Sequence, residues 1–177
     1  MKKITRNHAI GLFERLGVMT LSKLEDSILV ATMNNINALR KVADDFEALK
    51  KELFKRLYGD TEKMDDAQRK KLQDFFDMLQ KIGNAKGEEA KALETACKVA
   101  FPEYYEVRVK ELSVLMTLLN KEVEIEIEEV EETAFVKGIV AGNDAIKVQE
   151  VHAIFAPLFK AEEKKDADFS ELDELLK

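Results

Sequence analysis

Residues 21–60 read LSKLEDSILVATMNNINALRKVADDFEALKKELFKRLYGD, and the spacing of their apolar side chains decides the fold. Leu24, Ile28, Ile36, Leu39, Val42, Phe46, Leu49, Leu53 and Leu57, with Thr32 in register, step by three or four until Tyr58-Gly59-Asp60 stops them. Steps of that size keep one face of a helix apolar, and a glycine just past the last such residue is a usual stop. Started at Leu21, the stripe predicts a helix of about 37 residues, roughly 55 Å long at 1.5 Å per residue. One small neighbour cannot cover such a face, so an antiparallel helix within the chain, a second subunit, or both are expected.

The chain on either side supplies the rest of a helical body. Asp65 followed by Gln68 reads as a capping box opening a helix with Leu72, Phe75, Phe76, Leu79 and Ile82 on one face, expected to fold back along the long helix. Gly83-Asn84 and Gly87 interrupt the pattern, and Glu88 and Glu89 then open a helix carrying Leu93, Ala96 and Val99, where carboxylates suit the positive end of the helix dipole. Pro102 ends or kinks that helix, and helical spacing resumes from Glu103 to Leu119. Upstream, Thr5 is a candidate N-cap for a short helix bearing Ile10, Phe13 and Leu16, with Gly17 as its stop.

At Lys121 the period changes. Val123, Ile125 and Ile127 alternate with Glu122, Glu124, Glu126 and Glu128, which predicts a strand over about 122–129 with an acidic outer face. A lone strand leaves its backbone unpaired, and the candidate partner is 134–140, Ala-Phe-Val-Lys-Gly-Ile-Val. Gly142-Asn143-Asp144 reads as a turn and candidate cap for a helix bearing Val148, Val151, Ile154 and Phe155, which Pro157 ends or bends. The expected class is mainly α: a long antiparallel helical hairpin or bundle with a small β element near 122–140. It is read as one domain over 1–160, then an acidic linker and a short amphipathic tail helix within 161–177.

Composition narrows the function. With 46% apolar and 36% charged residues in 177, the chain reads as a globular protein. No apolar run approaches the roughly 18 residues of a membrane span, and Met1-Lys2-Lys3 leads into no hydrophobic signal core. The expected setting is the cytoplasm of a bacterial host or a virion, with no membrane partner. The single cysteine, Cys97, forms no internal disulfide and no cysteine-based zinc site. Residues 1–58 hold 11 basic and 7 acidic side chains (+4), 59–120 hold 10 and 12 (−2), and 121–177 hold 7 and 16 (−9). The basic pairs Arg40-Lys41, Lys50-Lys51 and Lys55-Arg56 are interleaved with Asp44, Asp45, Glu47 and Glu52, as on an ion-paired solvent face and unlike a nucleic-acid track.

Each candidate for chemistry has a plain competitor. His152, two residues after Glu150, is the histidine a metal-dependent enzyme would use with nearby carboxylates, but no H-E-x-x-H or E-x-x-H pattern occurs. His8 stands alone in a first helical turn, and Cys97 shares helical spacing with Leu93 and Ala100, as a core residue does. The glutamates of 122–132 lack the tight glycine turn of a calcium loop and read as a solvated face. Asn34, Asn35 and Asn37, poor helix formers in mid-helix, are either a register-setting polar contact or an exposed face, and exposure is expected. Phosphate-binding and nucleophile motifs do not occur, so no catalytic, cofactor-binding or metal-ligating residue is assigned. The residues expected to bind a partner are Phe169, Leu172, Leu175 and Leu176, the apolar face of Phe-Ser-Glu-Leu-Asp-Glu-Leu-Leu-Lys. Nine residues are too few for a stable isolated helix. The segment is therefore a frayed terminus or a tethered peptide for a hydrophobic groove on a partner or second copy, with Lys50, Lys51, Lys55 and Arg56 as a candidate cationic surface.

The layout as a whole carries a resemblance. Met1-Lys2-Lys3-Ile4-Thr5 leads into a helix, a long leucine-rich helical hairpin follows, and then come Glu-Val-Glu-Ile-Glu-Ile-Glu-Glu-Val at 122–130, Val-Gln-Glu-Val-His-Ala-Ile-Phe-Ala-Pro-Leu-Phe at 148–159 and an acidic end. This resembles small phage and prophage proteins of unknown function, and the resemblance implies a virion-assembly or tail-module context. The resulting expectation is a non-enzymatic interaction or assembly protein that self-associates, by default as a dimer, and meets phage assembly proteins through helix surfaces. The alternatives are the metal-dependent enzyme on His152 and a nucleic-acid-binding accessory protein using the basic N-terminal half.

Overall fold

The computed structural model describes residues 1–160; the expected linker and tail of 161–177, with Phe169, Leu172, Leu175 and Leu176, lie outside the described residues. Within them the chain is mainly α, with a two-stranded antiparallel ribbon. In order the elements are β1 (Lys2–Thr5), α1 (Arg6–Val18), α2 (Asp26–Tyr58), α3 (Asp66–Asn84), α4 (Gly87–Ala100), α5 (Pro102–Asn120), β2 (Glu122–Ile125), α6 (Glu132–Gly142) and α7 (Val148–Phe155).

Local chemistry explains most boundaries. α2 ends at Gly59, whose φ of +92° a residue with a Cβ rarely adopts, and whose N–H reaches the Lys55 carbonyl at 3.0 Å. The capping box of α3 is complete: Gln68 N–H donates to Asp65 Oδ1 at 2.7 Å, and Asp65 N–H donates to Gln68 Oε1 at 3.1 Å. Pro102 stands in the first turn of α5, where its missing N–H costs no helical bond. The long helix starts at Asp26, five residues later than the stripe suggested, because Leu21–Glu25 is a turn in which Leu24 N–H bonds the Leu21 carbonyl at 3.0 Å.

Two expectations about strands are corrected. Residues 134–140 are not a strand but the body of α6, and the partner of β2 is β1, at the other end of the chain. A short run of Ala, Phe, Val and Ile fits a buried strand and a buried helix equally by period. Glu131 resolves the choice by capping α6, its carboxylate accepting from Thr133 N–H at 3.0 Å and Ala134 N–H at 2.6 Å. The turn falls later than expected: Gly142 is the last residue of α6, Asn143 closes that helix instead of opening α7, and Ile146 N–H bonds the Asn143 carbonyl at 3.1 Å before α7 starts after Lys147.

The described residues form two compact units: one from Met1–Lys2, Leu12–Ala38 and the chain from Ile125 onward, the other from Lys3–Gly11 and Leu39–Glu124. In the second unit α4 packs on α3 and α5, and Phe75 is ringed by Phe76, Phe101 and Tyr104 at centroid distances of 5.3, 5.8 and 5.5 Å. The expected antiparallel pairing along α2 and α3 is confined to the last turns of α2, where Phe54 and Tyr58 meet Phe76 at 5.8 and 5.4 Å, and α3 packs chiefly on α4 instead. In the first unit Phe135 lies against Phe155 and Phe159 at 5.5 and 5.6 Å, and Ile139, Val151, Leu158, Leu12 and Leu16 are buried too. Here α6 comes hard against the turn before α2. A Cβ on Gly138 would stand 2.7 Å from Leu24 Cδ2 and 3.0 Å from the Lys23 carbonyl oxygen, and one on Gly142 would stand 2.8 Å from the Thr20 carbonyl oxygen.

Candidate functional site

Because α6 is short and apolar nearly all round, the face beside its buried stripe is apolar too, with Val136 buried at 6% exposure and Val140 half-buried. Phe135, Gly138, Ile139 and Gly142 form the stripe packed inward. Thr133, Val136, Lys137, Val140 and Ala141 recur at i, i+3, i+4, i+7 and i+8, one helical face, and with Val148 and His152 of α7 they enclose a groove of about 500 Å³. Val148 is 48% exposed, although its neighbour Val151 is fully buried. The groove lining carries one ammonium, Lys137, one imidazole, His152, and no carboxylate.

Polar groups hold the two walls in place. The two backbone N–H groups at the start of α6 hold the Glu131 carboxyl below the usual range. At the start of α7, the Glu150 carboxylate accepts from the Lys147 N–H at 3.2 Å. His152 Nδ1 pairs with the Glu132 carboxylate, tying α7 to the first turn of α6, and the His152 ring stands edge-on to Phe159 at 6.2 Å. Among the described residues this is the one carboxylate paired with His152. Among the described residues no three His, Cys, Asp or Glu side chains are grouped to hold a metal ion.

The other residues singled out by sequence fall into structural places. Cys97 is fully buried in the aromatic cluster, where burial first, and the nearby Glu94 charge second, push its thiol pKa up and away from thiolate chemistry. His8 is exposed, its backbone N–H bonding Thr5 Oγ1 at 3.3 Å, so Thr5 does cap α1. Asn35 corrects the expectation of an exposed face: it is fully buried, donating from Nδ2 to the Glu128 carbonyl and accepting at Oδ1 from the Glu128 N–H, both at 2.8 Å. Asn34 is exposed and donates to Glu128 Oε1. Asn143 does the same work on Thr20, accepting its N–H at 2.9 Å and donating to its carbonyl at 3.0 Å. In the acidic segment, Glu124 and Glu129 pair with Lys3 and Lys2 at 3.2 and 3.0 Å. Of the cations proposed on α2, Lys50, Lys55 and Arg56 pair with Glu47, Asp60 and Glu52.

A second cleft, of about 580 Å³, lies in the other unit between Lys50, Lys51, Phe54, Lys55, Asp60 and Glu111. Nearly buried Glu111 accepts Tyr58 Oη–H at 2.9 Å and Arg108 Nη1–H at 2.6 Å on the same oxygen. Burial, and then this bond to Glu111, push the Tyr58 hydroxyl pKa well above its ordinary value. The paired charges around it read as an internal brace joining α2 to α5.

The groove was not foreseen, because its stripe shows only once 132–142 is placed at helical period. Glu131-Glu132-Thr133 ahead of the apolar run was the available signal. Comparison of the chain with protein-family models, with curated proteins and with solved structures finds no match. No helix among the described residues is long and apolar enough to cross a membrane.

Proposed function

We propose that this chain is a non-enzymatic interaction or assembly protein whose working surface is the α6/α7 groove, and that the groove receives one amphipathic helix. The observation that supports this is the lining: Val136, Val140, Ala141 and Val148 offer apolar walls, with Lys137 the charged group at the rim. Helix-in-groove recognition lays apolar anchors at i, i+3, i+4 and i+7 against such walls, and an ammonium beside them favours a guest with acidic flanks. A phage or prophage assembly setting and a homodimer as the default state belong to the same reading.

The test is methyl resonance shifts of valine in the full chain, titrated with synthetic amphipathic helices of acidic, basic and scrambled sequence. The acidic helix is expected to shift Val136, Val140 and Val148 saturably and the scrambled one to leave them in place, with Val148→Asp weakening the response. Shifts elsewhere, or none, remove the reading. Two further measurements address the alternatives: stoichiometric metal in the purified chain would favour an enzyme built on His152 and Glu132, and a salt-dependent gel shift would favour nucleic-acid binding through the N-terminal half.

A further inference from the structure

We infer that the α6/α7 groove is occupied in the free molecule by the chain's own segment Phe169–Lys177, so that an outside helix must displace it; this rests on the reading of the groove given above. The first support is where the described chain ends. Lys160 N–H donates to the Val130 carbonyl at 3.3 Å, and the ring of Phe159 before it stands against His152, a wall of the groove. The chain therefore leaves the described structure beside the groove. The second is reach: the connecting residues 161–168, fully extended, span up to about 26–29 Å, whereas α6 with 11 residues is about 16 Å long.

The third support is chemical match. Phe169, Leu172 and Leu176 recur at i, i+3 and i+7 with Leu175 alongside, and Glu171, Asp173 and Glu174 flank them. The lining opposes these carboxylates with Lys137, while the Glu132 carboxylate at its edge is already paired with His152. Nine residues hold no helix alone in water, so the groove would supply the order. Tethering helps, because a short flexible linker gives an effective concentration of order millimolar and lets a weak contact persist. The consequence is a self-covered interface in which partner affinity is set by competition with the tail.

The chain has no tryptophan, so Phe169→Trp in the full chain is a single reporter. A docked tail gives blue-shifted emission and several-fold less quenching by acrylamide than a free peptide of residues 161–177 carrying the same substitution, independent of protein concentration. Adding Val148→Asp, at the exposed first residue of α7 where an aspartate suits the helix N-terminus, is expected to return emission to the free-peptide value with helical circular dichroism lowered by no more than the nine tail residues account for. Leu172→Asp is expected to do the same. Emission at the free-peptide value in the Phe169→Trp chain would overturn the inference and leave the groove open to outside helices, which the valine methyls test separately. A blue shift indifferent to Val148→Asp would place the tail elsewhere, and one that grows with protein concentration would place it in a second copy; both overturn own-chain occupancy.

Discussion

Two asparagines do for this protein what extra strands do for a sheet. Asn35 and Asn143 each set an amide donor and acceptor against the C=O and N–H of one distant residue, Glu128 and Thr20. Asn35→Ala orphans both groups of Glu128, at about 1–3 kcal/mol for each group left unmade, so a loss of roughly 2–6 kcal/mol in urea unfolding is expected. Asn35→Asp keeps the shape but, when ionised, cannot donate to the Glu128 carbonyl. Its folded pKa should therefore lie above the unfolded value of about 3.9. Stability from the protonated acid is then present below that value and lost as pH rises through the folded pKa, so this variant should gain on wild type as the solution is acidified. Tyr58 acts at the alkaline end. Its folded pKa is raised, chiefly by burial, so the folded chain keeps a proton that the unfolded chain releases near pH about 10, and stability falls as pH rises beyond that value. Tyr58→Phe is expected to cost about 1–2 kcal/mol near neutrality, since Glu111 loses one donor, and to flatten the alkaline fall in urea midpoint. An alkaline limb unchanged by the substitution would show that other groups set it.

Among the elements, α6 is where sequence and structure part, and its glycines show why it sits where it does. Gly138→Ala drives a methyl against Leu24 and the Lys23 carbonyl. A net loss of about 1–3 kcal/mol is expected even after the roughly 1 kcal/mol that alanine gains in a helix. Gly11 in α1 meets nothing within 4 Å of such a methyl, so Gly11→Ala should gain up to about 1 kcal/mol. Opposite shifts in melting temperature check the pair. The elements legible in the sequence are those whose determinants are local: the α2 stripe with its Gly59 stop, the Asp65–Gln68 box, and Pro102 between α4 and α5. β1 was not legible, since Lys2–Thr5 carries one strongly apolar residue and gains strand character only from β2. Asn35 was misjudged for the same reason, because helix propensity says nothing of a partner 93 residues away. The candidate site was hidden by the strand reading of 134–140, under which its outer face is divided between two sides of a sheet.

Whole-molecule behaviour follows from chain order as well as from contacts. The acidic composition, with a net charge of −7, opposes indiscriminate association, so the expected homodimer must come from a specific face; light scattering across protein concentrations should show a dimer, and a monomeric mass at tens of micromolar would contradict it. The unit holding α6 and α7 is assembled from chain on both sides of Leu39–Glu124, and its asparagine contacts close separations of 93 and 123 residues. By contrast α3, α4 and α5 are consecutive. During synthesis, at about 5–20 residues per second, the first half of α2 therefore emerges on the order of 10 s before the residues that bond Asn35. Until then Ile28 and Ile36 are wet apolar surface on a ribosome-bound chain, a natural substrate for holdase chaperones. Chains arrested on the ribosome with Glu124 carried beyond the exit tunnel should be cut by protease within Asp26–Ala38 while α3–α5 resist, and arrest with Lys160 carried beyond it should restore protection. The time for which the nascent chain depends on folding assistance is thus set by the length of the insertion.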